Sequence, residues 1–263
     1  MIALAAQGLL AALAVALPVW ALSLPLRDAS LADRVWSLLV AAPVAVYAWT
    51  LLPPLQPRDA LLLALLLAWA LRLALYISWR NRGHGEDRRY RAMRERHGAR
   101  FGLKSLYLVF GLQAVLAWVL GWPLLAALGR PGALTWLDAL GLVLAGGGLL
   151  IETVADVQLA RFLRGPRPEG AVMDRGLWAW SRHPNYFGEA CFWWGLWLIA
   201  LPAAGWAGAW TVVSPLMLTW LLLRVSGVAL LEQDMAARRP AYRDYIARTS
   251  AFIPWPPRRA APP

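Results

Sequence analysis

The chain has 263 residues, of which 60% are hydrophobic, yet it carries a formal net charge of +11. That pairing excludes an ordinary soluble domain, and it excludes nucleic-acid binding because the basic residues sit between apolar runs and form no separate domain. A single cysteine, Cys191, rules out an intrachain disulfide and a cysteine metal cluster, and the three histidines, His84, His97 and His183, show no ligand spacing for a metal.

Apolar segments of bilayer-crossing length run over roughly 2–24, 35–52, 59–79, 105–128, 134–158, 187–203 and 207–231. The first lacks the positive leading region of a signal peptide and reads as a retained span. The second is short and carries Pro43, and the sixth is short enough to be a tilted or partly re-entrant element. Pro53-Pro54 ends one segment, and Gly129-Arg130-Pro131-Gly132 reads as a tight turn. The spacing therefore predicts an all-α integral membrane bundle of about seven transmembrane helices, with 1–263 as a single membrane domain.

The arginines orient that bundle. Arg27 and Arg34 follow the first span, a run from Arg80 to Lys104 follows the third, Arg161 to Arg182 follow the fifth, and Arg238, Arg239, Arg243, Arg248, Arg258 and Arg259 follow the seventh. The opposite connections hold only Arg58 and Arg130. By the positive-inside rule the N-terminus lies outside and the C-terminus in the cytoplasm. The positive potential of the inner face would attract an anionic cofactor.

Against this apolar background some polar residues stand out. Glu152 and Asp156 are four apart and share one face of a helix, with Gln158 close by. Glu232 and Asp234 end the seventh segment, Arg72 and Tyr76 lie one turn apart in the third, Arg224 is in the seventh and Gln113 in the fourth. Any one of these reads equally well as a structural ion pair. As a set, acids at the ends of the fifth, sixth and seventh spans converge on one level, where a polar ligand would compensate their desolvation. The stretch Ser181-Arg182-His183-Pro184-Asn185-Tyr186-Phe187-Gly188-Glu189 is the densest polar run, and it opens into the tryptophan-rich sixth span. Gly146-Gly147-Gly148 inside the fifth span permits close helix packing, or thins the helix beside a ligand.

These residues resemble the steroid 5-alpha-reductase family, in particular its bacterial branch of integral membrane proteins. The matching pieces are Asp33 with Trp36, Trp69 to Leu73, Arg89-Tyr90, Gln113, Glu152 with Asp156 and Gln158, Gly176-Leu177-Trp178, the stretch ending at Glu189, Ser226-Gly227, Leu231-Glu232, Tyr242, Tyr245 and Phe252-Ile253-Pro254. The resemblance implies NADPH held in a cytoplasm-facing cavity of a bacterial inner-membrane protein, with 1–104 on the substrate side and 105–263 on the cofactor side. Carried over by motif, Asp156, Asn185 and Glu189 would contact the cofactor, with Arg182, His183, Tyr186, Glu232, Tyr242 and Tyr245 as further contacts, and Trp193, one helical turn after Glu189, would lie at the same cavity. His183, which precedes Pro184 at the start of a span, suits cofactor contact or capping better than proton transfer. No Gly-x-Gly-x-x-Gly follows a strand, so a soluble dinucleotide-binding domain is excluded.

The implied chemistry is hydride delivery to an electron-poor carbon–carbon double bond in an apolar lipid such as a steroid, sterol or polyprenoid, with an acid polarising the conjugated carbonyl. The Gln-Glu pair that eukaryotic steroid reductases place in the second span is missing. Tyr47 and Tyr76 are the available phenols, and Tyr76, one turn from Arg72, is the expected catalytic acid, against the alternative of an interfacial anchor. Two other functions fit parts of the pattern. Isoprenylcysteine carboxyl methyltransferases carry a related Arg-His-Pro-x-Tyr-x-Gly element and bind S-adenosylmethionine, and a non-catalytic transporter or scaffold would use the polar residues only to line a passage. Oligomeric state is not readable from the sequence.

Overall fold

The computed structural model describes residues 1–52, 54–83, 85–225, 227, 228, 232, 235 and 241–258. Pro53, His84, Ser226, Leu231, Asp234, Arg238, Arg239 and Arg259, on which some of the expectations above fall, lie outside the described residues. The chain is all-α: α1 (Ile2–Leu26), α2 (Leu31–Arg34), α3 (Trp36–Leu51), α4 (Pro57–Arg80), α5 (Arg88–Ala127), α6 (Trp136–Arg164), α7 (Pro184–Ala204), α8 (Trp206–Val225) and α9 (Ala241–Arg248). Among the described residues, six of these helices are long and apolar enough to cross a membrane, and α3 is a shorter apolar helix. Each of the seven apolar segments of the sequence thus contains a helix among its described residues, the second too short to qualify by length.

One difference concerns α5. The sequence placed the residues from Arg80 to Lys104 in a basic connection, but helix begins at Arg88 and continues through a 3-10 turn at Gly98–Arg100 and a π-helical stretch at Leu106–Gly111. Asp87 caps its start by accepting from the Arg89 amide at 2.9 Å. The run Arg88–His97 consists mostly of charged residues, so apolar periodicity gives no sign of it.

The chain divides into two compact units, Met1–Asp138 with Ile199–Ser214, and Ala139–Leu198 with Pro215–Pro263. In the first, α1 offers Leu4, Gly8, Ala12 and Ala16, a buried stripe at four-residue spacing, to α3. The absent side chain of Gly8 makes room for the Tyr47 ring: a Cβ there would lie 2.2 Å from the tyrosine oxygen. Arg27 ends α1 in the left-handed conformation (φ 49°), with its amide donating to Leu24 O and the Asp28 amide donating to Ser23 O. Glycine normally occupies that position, and another residue there costs roughly 1–2 kcal/mol.

The large exposed side chains suit lipid. Trp206, Trp49 and Trp136 are 91%, 90% and 73% exposed, and each sits at a helix end next to an arginine-poor connection, where tryptophan favours the membrane interface. Arg58, expected only as one of two charges on that side, is buried. Its Nε and Nη2 donate to the two oxygens of Asp138 at 2.7 and 2.9 Å, and Nη2 also donates to Ala133 O at 2.6 Å. Asp138 accepts in addition from the Thr135 amide and hydroxyl at the start of α6. Removing one member strands a buried charge, so Asp138→Ala is expected to lower stability by about 3–5 kcal/mol, read as a fall in melting temperature of the detergent-solubilised protein.

Candidate functional site

In the second unit α6 and α7 approach until their main chains touch. A Cβ on Gly148 would lie 2.5 Å from Gly188 O, one on Gly188 would lie 2.7 Å from Glu152 N, and one on Gly195 would lie 2.4 Å from Ala145 N. Gly146 and Gly147 meet nothing within 4 Å. Of the three-glycine run, therefore, Gly148 makes the close packing expected, and its counterpart is the motif's own Gly188.

Carboxylates gather at that crossing. Glu152, Asp156 and Glu189 are all buried. Asn185 Nδ2 donates to Asp156 Oδ1 at 3.2 Å, and Trp193 Nε1 donates to Glu189 Oε1 at 3.1 Å. Asn185 Oδ1 is buried with no hydrogen-bond partner among the described residues. A buried acceptor left in that state is costly, and an N–H or O–H donor from a ligand would satisfy it.

The preceding residues are held differently. Gln158 accepts from the Leu177 amide at 3.0 Å, Trp178 Nε1 donates to Ala155 O at 3.0 Å, and Gly176 (φ 59°) lies against the Gln158 side chain, so the approach to the motif is anchored on α6. Ser181 pairs with Ser250 as an isolated parallel bridge, in which the Arg182 amide donates to Ser250 O at 2.8 Å. Ser181 Oγ donates to Phe252 O at 2.8 Å, and Tyr245 Oη donates to Trp178 O at 2.5 Å. The C-terminal segment thus straps the motif in place.

Glu232 is the hub of this arrangement. Arg182 Nε and Nη2 donate to its two oxygens at 2.7 and 2.9 Å, His183 Nε2 lies 2.9 Å from Oε1, and Tyr242 Oη donates to Oε1 at 3.4 Å. Arg182 Nη1 also donates to Thr249 O and Ile246 O, satisfying carbonyls at the end of α9. The His183 ring stacks on Tyr186 with centroids 5.4 Å apart. Burial raises the Glu232 carboxyl, but the hydrogen bonds and charges of His183 and Arg182 outweigh it and bring the pKa down to about 2. Burial opposes the Arg182 charge, yet Glu232 holds its pKa above the ordinary arginine value. Burial, and then the Glu232 charge, push the Tyr242 phenol up; burial does the same for Tyr245.

Beside Arg182 opens a cavity of about 470 Å³, lined also by Arg248, Arg258, Thr249 and Trp255. Arg248 pairs with Asp174. The structure therefore brings Arg182, His183, Glu232 and Tyr242 into one network, with Tyr245 beside it, and brings Asp156, Asn185, Glu189 and Trp193 together on α6 and α7.

Tyr76 lies in the first unit, half-buried on α4, with the Arg72 and Arg80 guanidinium carbons 6.0 and 5.8 Å from its ring centroid. The other phenol, Tyr47, is fully buried, and its hydroxyl has no hydrogen-bond partner among the described residues. Sequence reasoning missed a further constellation. Asp33 accepts from Arg89 Nη2 at 2.8 Å, Tyr90 Oη at 2.6 Å and Gln113 Nε2 at 3.2 Å. These residues had been noted one by one, and the only signal joining them was their common place in the resemblance. No group of side chains fit to hold a metal ion occurs among the described residues.

The family described as a protein of unknown function (DUF1295) matches residues 19–249. The chain belongs to that family. The match covers both the Asp33 constellation and the polar residues of α6, α7 and α9. No curated protein and no solved structure matches the chain.

The position of the Glu232 pKa fixes a pH dependence. It lies below the roughly 4.3 of free glutamate, so the stability it contributes is fully present above that value and is lost as pH falls through about 2. The melting temperature should decline from about pH 5 downward, and Glu232→Gln, less stable at neutral pH, should show a shallower decline over the same range.

Proposed function

We propose that this protein is an NADPH-dependent membrane reductase acting on a conjugated carbon–carbon double bond in an apolar lipid. The observation that carries the reading is the buried Asp156–Asn185 pair, whose amide oxygen lacks a donor. A ribose hydroxyl or a nicotinamide carboxamide supplies such a donor, so the side chains present fit the cofactor. Asp156, Asn185 and Glu189 would hold it, and the cavity beside Arg182 offers the Arg258 guanidinium for phosphate. When bound, NADPH supplies hydride, and the protein's own task is to orient the reacting groups and exclude water.

The resemblance to the steroid 5-alpha-reductase family supports the same reading, since the residues that carry it, Phe252 to Pro254 apart, fall within the family match. On this reading the cofactor faces the cytoplasm of a bacterial inner-membrane protein. The Glu232 network serves to position the segment: it holds Ser181 to His183 rigidly, so that Asn185 and Glu189 enter α7 in a fixed register. Tyr76 is the phenol assigned to carbonyl polarisation.

The test is titration of the purified protein with NADPH, followed by fluorescence, beside titration with S-adenosylmethionine. Wild type should bind NADPH alone. Asn185→Ala and Asp156→Asn should each weaken binding about tenfold, the worth of a hydrogen bond to a buried polar group, with helical content unchanged. Tyr76→Phe should keep the affinity and slow turnover. Binding of the methyl donor and no NADPH would sink the reductase reading in favour of a methyltransferase, and binding of neither would leave a transporter or scaffold.

A further inference from the structure

A second cavity lies in the first unit, apart from the residues discussed above. It measures about 490 Å³, and its walls include Leu24 and Arg27 at the end of α1 and Glu95, Ala99 and Gly102 on α5. Trp20 Nε1 donates to Gly102 O at 3.0 Å, which ties the two helices together at its edge. The surrounding surface is lipid-like: Leu22, Leu26, Leu103 and Tyr107 are all exposed. The cavity therefore sits where a membrane-spanning helix ends, at the level of phospholipid headgroups.

Two charges line it without meeting. Among the described residues neither the Arg27 guanidinium nor the Glu95 carboxylate has a hydrogen-bond or ion-pair partner. A third, Arg94, is already neutralised by Glu86, to which it donates twice, at 2.9 and 2.7 Å. Arg27 is moreover the non-glycine residue with positive φ among the described residues. Its backbone is strained to end the helix at a position where glycine would be relaxed.

We infer that this cavity binds the phosphoethanolamine headgroup of a glycerophospholipid, with its phosphate on Arg27 and its ammonium on Glu95. The opposed, unpaired charges match a zwitterion with donors on its cationic end. A choline headgroup has no N–H to give Glu95, and a phosphate monoester would be repelled by that carboxylate. The acyl chains would leave along the exposed leucines of α1 and α5.

The experiment is native mass spectrometry of the full chain in non-ionic detergent, titrated with dihexanoyl phosphatidylethanolamine, phosphatidylglycerol and phosphatidylcholine, and with inorganic phosphate as competitor. Phosphatidylethanolamine should bind about tenfold more tightly than phosphatidylcholine, as one charge-assisted hydrogen bond requires, and phosphate should not displace it. Arg27→Gly should lose about tenfold in affinity for all three lipids while its melting temperature holds or rises, because glycine relaxes the helix end. Glu95→Gln should erase the preference over phosphatidylcholine. Equal binding of the three lipids, displacement by phosphate, tighter binding of phosphatidylglycerol, or wild-type affinity in the Arg27→Gly variant would each overturn the inference. None of these readouts depends on NADPH or on turnover.

Discussion

The backbone contact between α6 and α7 is the constraint on which the candidate site depends. Two helices with ordinary side chains between them stand 8–10 Å apart, and polar groups on their facing sides are then separated by packing residues. Gly148 against Gly188, and Gly195 against Ala145, remove that layer. Glu152, one turn beyond Gly148, and Glu189, next to Gly188, consequently flank the crossing point. Asn185 reaches Asp156 from the first turn of α7. In a membrane, where apolar burial does not drive helices together, such close contact supplies the dispersion energy that holds them. The same glycines that bring the acids into proximity thus contribute the packing that offsets their desolvation.

The membrane helices were legible in the sequence because lipid imposes a length and a composition on every span, and both can be read one segment at a time. What depended on a distant partner was not legible. Arg58 looked like a surface charge on a loop, and only Asp138, eighty residues later, makes it a buried ion pair. The helix from Arg88 was hidden for the opposite reason, since it has no apolar stripe and its cap is a single aspartate. The three-glycine run pointed to close packing, but which glycine does the packing is decided by the residues facing it on α7. The Asp33 constellation draws its members from α2 and two separate turns of α5, and their spacing in the sequence carries no trace of it.

Glu232 illustrates how a single charge can organise a segment through side chains of its own chain. It sits at a point where a guanidinium, an imidazole and a phenol converge, and it satisfies each of them in part. Arg182 in turn closes the end of α9, and Ser181 and Ser250 join the strap to the motif. With its charge balanced by Glu232, Arg182 adds little net potential to the cavity it lines. The charge available there comes chiefly from Arg258, because Arg248 faces Asp174.

The nine-residue motif therefore divides in two. Its first part, Ser181 to His183, is bound by its own chain at nearly every polar atom, whereas its second part, from Asn185 to Glu189, keeps an acceptor with no donor. On the proposed reading, this division would let a related element serve membrane enzymes of different chemistry. An Arg-His-Pro tether that locks a C-terminal helix to the mouth of a span is indifferent to what binds beyond it. On that reading, discrimination would fall to the groups from Asn185 to Glu189. An amide paired with an aspartate, and a second carboxylate one turn later, suit hydroxyl and N–H donors of the kind that a ribose or a carboxamide carries. The unsatisfied amide oxygen marks the half of the motif that the tether leaves open.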